Sequence, residues 1–458
     1  MKRNKILFNV MHAIKSARFV YRTFVSVIAF SMILCVTPAY NAYASDSNRH
    51  NDELELNVDA RSRVPYLEAF GDSNAPNANS ISTNSGATLD LPGSTGYDSA
   101  LVRVSVFNAN SDTTVYVDNT PALQIAAKHD ASQTVLAHVT DGKLHIYASN
   151  AVNARVEVVA FLQSKTVAAA KNQKPAYVPG ATVSLAKPVA RMDTTKQLSC
   201  TSMSSSANCK VGLLGLGSVP GEYVRAVYVT MKVNMKNAGD VKVAGQKIAL
   251  PQGDSVVSTI VVPSSTDGSI SVESENATSA ELYVRGWVAG AMPNMAHANV
   301  TGSFVPSVAK QWVESTTEKD KTSTVALSKQ SSDSVFELAL VSASASSKRA
   351  FVEYGKPVQG RSVGAVVDAK EGALPQLDFV DTDAKSVKVS ARGSNVSSKV
   401  LMLGSILGSR VQNDKAETVT VKWTSPKENA SIDFSKGCLL YTSPSPRDIS
   451  GSRMPSSA

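Results

Sequence analysis

Residues Asp141–Gln163 read DGKLHIYASNAVNARVEVVAFLQ, two runs of alternating apolar and polar residues joined by a polar turn. Strict alternation over six or more residues puts one set of side chains on each face of a β-strand. The stretch returns as Asp267–Gly290, DGSISVESENATSAELYVRGWVAG, and more loosely as Asp383–Gly408, DAKSVKVSARGSNVSSKVLMLGSILG. What returns is the alternation and not the polar identities: Lys143, His145 and Arg155 correspond to Ser269, Ser271 and Glu281. A shared reaction would need shared polar residues, so the hairpin is expected to be scaffold.

Upstream of each copy lies a similar prelude. Leu101–Phe107 (LVRVSVF), Val224–Val233 (VRAVYVTMKV) and the run that opens SSDSVFELALVSAS at Ser331 are long alternating strands. Each is followed by an Asn, Ser or Gly turn and a second strand. The closing strands end near Gln163, Gly290 and Gly408, a spacing of 127 and then 118 residues, too long for a solenoid and suited to tandem domains. Aromatics are only 6% of the chain and no convincing helical stripe is present. The expected class is all-β, tandem β-sandwich-like domains after an N-terminal signal helix. The expected organisation is unit one at 60–165, unit two at 181–291 and unit three at 300–408. Linkers would occupy 166–180 and 292–299, with a flexible lead at 45–59. The alternating run Thr418–Trp423 makes 409–437 the expected start of a further, truncated unit.

The ends differ from this middle. Residues 1–44 carry Lys2, Arg3, Lys5, Lys15, Arg18 and Arg22, no acid, an apolar run Thr23–Thr37 and then Ala42-Tyr43-Ala44. That is the layout of a secretory signal peptide cleaved before Ser45, and the run is short for a membrane span. Cys35 lacks the small residue expected before a lipidated cysteine. At the other end Cys438–Asp448, CLLYTSPSPRD, resembles a translated transposase-type sequencing adapter, and Ser452–Ala458 fits its continuation. The resemblance implies that Cys438–Ala458 is not biological and that the reading frame was cut. Of the formal +8, the signal supplies +6, and Arg447, Asp448 and Arg453 a net +1, leaving about +1 for Ser45–Gly437. A near-neutral mature chain gives no reason to expect nucleic acid as a partner. An exported protein without a stable span in its mature part is expected outside the cell or on its surface.

The heads of the units repeat as well. Tyr177–Lys196 reads YVPGATVSLAKPVARMDTTK and Val300–Lys319 reads VTGSFVPSVAKQWVESTTEK. Heads and tails together resemble a secreted β-repeat of actinobacterial extracellular proteins. In that repeat a "P-A-R-hydrophobic-D-T" segment opens each unit and a D-G strand pair ending in "G-aromatic" closes it. Pro188–Thr195 keeps the head best, whereas Val308–Ser315 departs from it. Asp-Gly is kept at Asp141-Gly142 and Asp267-Gly268 and lost at Asp383-Ala384. Such repeats accompany cell-wall hydrolases or proteases without being catalytic, so the resemblance implies an accessory role. A cell-wall polymer or a surface protein would be the partner.

Chemistry is sparse. Cys200 and Cys209 bracket a small polar loop, SCTSMSSSANCK, and in an exported chain are expected to form a disulfide; a metal site lacks a nearby histidine or second cysteine pair. His129, His138 and His145 all fall in unit one, where alternation predicts a solvent-facing histidine sooner than a metal ligand. His50 and His297 sit in linkers, leaving few bases for a Ser-His-Asp arrangement. No G-x-S-x-G, H-E-x-x-H, P-loop or C-x-x-C occurs, and Asp381-Thr382-Asp383 lacks the glycine and distal glutamate of a calcium loop. No catalytic residue, cofactor or metal ligand is therefore expected, and the chain is read as a non-enzyme. Sugar-binding modules present aromatics, and the tryptophans are Trp287, Trp312 and Trp423. Trp287 lies in a closing strand and is expected in the core, which leaves Trp312 as the candidate ligand contact. The reading is a surface spacer or presentation scaffold, with a glycan-binding accessory region as the alternative.

Overall fold

The computed structural model describes residues 87–91, 94–167, 176–204, 207, 209–292, 299–307, 311–326, 334–355, 364–380 and 386–408, with short pieces at 56, 58–60, 63–66, 80–81, 382–383 and 417–420. The expected signal peptide and the adapter-like tail lie outside these residues, as do Cys35, Cys438, Trp423, His50 and His297. No helix among the described residues is long and apolar enough to cross a membrane.

The hairpin that repeats in the sequence sits at the same place in three sandwiches of one design. In the first, β1 (Arg63–Tyr66), β2 (Ala87–Asp90), β3 (Ser99–Phe107) and β4 (Thr113–Val117) are followed by β5 (Thr120–Ile125), β6 (Ala131–His138), β7 (Lys143–Ala148) and β8 (Val152–Leu162). They form a sheet of order β1-β8-β3-β6 facing a sheet of order β2-β7-β4-β5. That is the order of an eight-stranded jelly roll. The second roll runs β9 (Thr182–Asp193), β10 (Lys210–Gly212), β11 (Val224–Met235), β12 (Gly239–Val243), β13 (Gln246–Leu250), β14 (Gly253–Val261), β15 (Ser269–Glu273) and β16 (Ala277–Ala289). Its sheets are β9-β16-β11-β14 and β10-β15-β12-β13, the same order strand for strand.

The third roll repeats it with β17 (Val313–Thr317), β18 (Thr322–Ala326), β19 (Ser334–Ala345), β20 (Ala350–Tyr354), β21 (Ala365–Val367), β22 (Ala373–Val380), β23 (Ser386–Arg392) and β24 (Val396–Leu407). Here β17 and the short Phe304–Pro306 strand share the head position beside β24. A last strand, β25 (Glu417–Thr420), falls in the run expected to open a further unit. It pairs in parallel with β1 and extends the large sheet of roll one.

Local sequence explains the strands and their turns. Valine, threonine and isoleucine fill them because branched side chains suit a half-buried pleated surface. The turn into β7 places Asp141 at φ 50° and Gly142 at φ 72°, and β4 and β5 are joined through Asp118 and Asn119 at φ 52° and 60°. Two successive left-handed residues are what a two-residue hairpin turn matching the strand twist requires. Each roll fills its interior with the inward phase: Leu89, Val102, Val115, Leu123, Leu144 and Val156 in roll one, and Val325, Ala339, Val352, Tyr354, Val387 and Val400 in roll three.

The outward phase of the large sheets departs from the one-face-buried expectation. Every residue of β3 is buried, Arg103 and Ser105 included. On the outer faces, Leu101 and Leu136 of roll one and Phe336, Leu338 and Leu340 of roll three join the core of roll two in one continuous cluster. The rolls are thus packed on one another through the outer faces of their large sheets. The equivalent edge strands β6, β14 and β22 meet at one junction, so three edges that would template pairing with other chains cover each other.

Candidate functional site

The junction is held by polar side chains that alternation alone would place in water. Gln133 on β6 is fully buried, and its Nε2 donates to the Val256 carbonyl of β14 at 2.9 Å and the Pro375 carbonyl of β22 at 3.1 Å. Its Oε1 accepts the Thr134 N–H at 3.0 Å, so one carboxamide joins three rolls with its oxygen also engaged. On β22, Gln376 Nε2 donates to Ser132 Oγ at 3.1 Å, and Ser132 Oγ in turn accepts the Val366 N–H.

Arg285 locks roll two to roll one. It is completely buried on β16; Nε donates to Thr230 Oγ1 at 2.7 Å, and Nη2 donates to the Thr120 and Pro121 carbonyls at 3.1 and 2.8 Å. Nη1 reaches the Val117 and Leu136 carbonyls. Burial pulls the guanidinium down to about 10, against the favourable field of Asp118. Burial likewise raises the Asp118 carboxyl, although its Oδ2 accepts the His138 N–H.

Rolls one and three also meet through ionic contacts. Arg103 Nη2 lies 2.9 Å from Asp378 Oδ2, and Nη1 lies 3.6 Å from Glu157. Burial opposes the charge on Arg103, but Asp378, Glu157 and Glu353 outweigh it and hold the group above its ordinary value. Nearby, Arg349 forks onto the Asp130 carboxylate and lies over the Phe107 ring. Asp130 N–H donates to Asp368 Oδ2, and His129 faces both Asp368 and Glu371. Burial works against ionisation of Asp368, yet the N–H groups of Asp130, Lys370 and Glu371 keep it below the usual carboxylate range.

The residues singled out in the sequence fall as follows. Cys200 and Cys209 are joined in a disulfide with Cα atoms 5.6 Å apart, and Cys209 is buried against Met192. Trp312 is half-buried against the core, and its indole N–H donates to the Lys247 carbonyl on the edge strand β13. The bond ties roll three to roll two. Trp287 is buried edge-on to Tyr177.

His138 Nδ1 and Ser184 Oγ are 2.9 Å apart at the contact of rolls one and two. This is the Ser–His proximity a hydrolase would need. The same Oγ, however, accepts from Ser99 and donates to the Asp98 carbonyl, so its proton is held by backbone. Among the described residues no group of three His, Cys, Asp or Glu could hold a metal ion.

The tryptophan reading passed over the tyrosines. Tyr116 on β4 and Tyr147 on β7 are cross-strand partners whose rings stack at 4.5 Å between centroids and 6° between planes. Both are half-buried, on the outer face of the small sheet, while Val115, Val117, Ile146 and Ala148 point into the core. On the same face Thr114 donates to Gln124 Oε1, and Thr88 Oγ1 lies 3.1 Å from His145 Nδ1. A third tyrosine, Tyr283, comes from β16 two residues before Arg285, whose guanidinium grips the hairpin that carries Tyr116. The Tyr283 phenol donates to Glu281 and lies within electrostatic range of Tyr116. The signal was legible: in TTVYV and KLHIYA the tyrosines occupy the polar phase.

No family model and no curated protein matches this chain. Among solved structures, a cupin 2 conserved barrel domain protein from Leptotrichia buccalis matches at 11% identity over 42% of this chain and 80% of its own, with a TM-score of 0.15. A salicylate 1,2-dioxygenase from Pseudaminobacter salicylatoxidans matches at 11% identity over 59% of this chain and 93% of its own, with a TM-score of 0.16. Likenesses this slight carry no argument about function.

Proposed function

We propose that this chain is an exported, non-enzymatic presentation scaffold of the bacterial surface or its surroundings, in which three jelly rolls are locked together to hold their outer faces in fixed relation. Jelly rolls serve many unrelated ends, so the proposal rests on the interfaces and not on the fold. The carrying observation is Gln133, a buried carboxamide bonded to all three rolls. Polar groups buried between units fix one arrangement, because any other leaves them without partners. The scaffold acts by presentation more than by length, since the rolls share a core. Small-angle scattering of Ser45–Gly437 should give a radius of gyration near the ~21 Å of a single packed body. A string of separate beads, with a much larger radius, would overturn the proposal. So would a peptide- or glycan-cleaving activity abolished by one Ser, His or Asp substitution.

A second reading, a cell-wall or glycan-binding accessory region, is favoured by the outward tyrosine pair. Pull-down on purified cell wall tests it; retention at micromolar affinity supports it, and passage through the matrix removes it.

A further inference from the structure

The outer face of the small sheet of roll one has a composition that suits one class of ligand. The leucines, isoleucines and valines of these strands pack in the core, so the face offers little to the apolar side chains of a peptide. What it offers is a parallel ring pair, Tyr116 and Tyr147, flanked by the Thr114–Gln124 pair on one side and the Thr88–His145 pair on the other. Tyr283 of roll two lies two residues before Arg285, whose guanidinium bonds the Val117 carbonyl next to Tyr116. Aromatic rings set among planar polar groups and hydroxyls match a molecule with both apolar C–H faces and equatorial hydroxyls.

Charge narrows the class further. Asp90 lies opposite Lys143 in the strand register, and beyond Tyr283 the acids Glu281 and Asp193 are offset by Lys232 and Lys196. A face whose charges cancel neither recruits a polyanion, such as a nucleic acid or a teichoic-acid-like polymer, nor a polycation. Arg285 fixes how the two rolls meet here: it bonds the Val117 carbonyl on one side and the Thr120 and Pro121 carbonyls on the other.

We propose that Tyr116, Tyr147 and Tyr283 form a binding site for an uncharged hexopyranose chain, with sugar rings stacked on the tyrosines and hydroxyls meeting Gln124, His145 and Glu281. The site rests on the glycan-binding reading above and gives it a place.

The test is calorimetric titration of the full chain with cellohexaose and with chitohexaose, alongside cell-wall pull-down. One hexasaccharide should bind with an affinity insensitive to salt, as for an uncharged ligand. Tyr116→Ala and Tyr147→Ala should each weaken it roughly tenfold, the scale of an aromatic anchor, with Tyr116→Phe close to the original. Unfolding curves of the same variants read any change in sheet stability separately, and Tyr283→Ala, from another roll, should also weaken binding. The proposal is overturned if neither sugar binds, if a charged wall polymer binds instead with strong salt dependence, or if the Tyr116→Ala/Tyr147→Ala double variant binds as the parent does. Should that double variant stay on the cell wall as firmly as the parent, this site falls and the glycan-binding reading stands. Should the parent itself pass through, both fall.

Discussion

A single carboxamide shows how much of this protein hangs on buried polar groups. Replacing Gln133 with leucine keeps the volume but leaves the Val256 and Pro375 carbonyls buried without their donor. An unsatisfied buried polar group costs about 1–3 kcal/mol, so Gln133→Leu should lower unfolding stability by about 3 kcal/mol in a denaturant titration. A change under about 0.5 kcal/mol, the range of ordinary surface substitutions, would mean the bridge is unimportant. Asp193 in the Pro188–Thr195 head gives a pH-dependent case. Its Oδ1 takes the Thr195 hydroxyl and the Thr195 and Lys196 N–H groups, and Lys196 Nζ lies 2.9 Å from Oδ2. These partners, the Thr195 hydroxyl first, hold the carboxyl at about 2, below its ordinary value.

A carboxyl lowered on folding stabilises above its unfolded pKa and loses that contribution as pH falls through the folded one. Asp193→Asn should therefore melt below the parent at neutral pH, with the gap closing as pH approaches about 2. A gap that stays constant with pH would refute the role. The Asp-Thr of the head was readable as a motif, and the structure shows it to be a turn cap. Gln133 was not readable, because a polar residue on the outer phase of a strand looks the same whether it faces water or a neighbouring roll.

Among elements, the strands and the repeated hairpin were the most legible, because period two and turn residues are local. Strand order was not: the same alternation serves many sandwiches, and only long-range pairing made each unit a jelly roll. The closing Gly286-Trp287 illustrates the limit. A Cβ at Gly286 would stand 2.5 Å from both Leu136 and the Val183 carbonyl, so the glycine is required by a head strand and by the neighbouring roll together.

The Cys200–Cys209 pair was legible because the two cysteines bracket a short polar loop, and the structure joins them. Closing so short a loop stabilises by about 2–3 kcal/mol in the chain-entropy account. The Cys200→Ser/Cys209→Ser variant should lose about that much. Mass mapping without reductant should find the two peptides joined. Free thiols at both positions would refute the pairing.

At the scale of the whole molecule, the repeat length pointed to tandem domains, and the structure adds a core shared between them, built from the outer faces of the large sheets. Leu101, Leu136 and Phe107 of roll one are buried, as are Phe336, Leu338 and Leu340 of roll three, although none of them serves the interior of its own sandwich. A free-standing domain would expose them as an apolar patch beside the edge of β6, and such surfaces drive association. Residues 60–165 expressed alone should therefore aggregate or bind a hydrophobic dye, while the full chain stays monomeric and dark.

Charge adds a second handle on the same interface. Arg103→Met leaves Asp378 and Glu157 in a buried setting without their cation, a loss of about 3–5 kcal/mol when one partner of such a pair is removed. The change should loosen roll three from roll one, seen as faster proteolysis between residues 292 and 313 and a larger scattering radius. Arg103→Met with Asp378→Leu should recover part of the loss, because it also removes the Asp378 carboxylate and, of the two ion-paired acids, leaves only Glu157 without the Arg103 cation. If excised roll one is a stable, dye-negative monomer and Arg103→Met leaves the scattering curve unchanged, the rolls are beads after all.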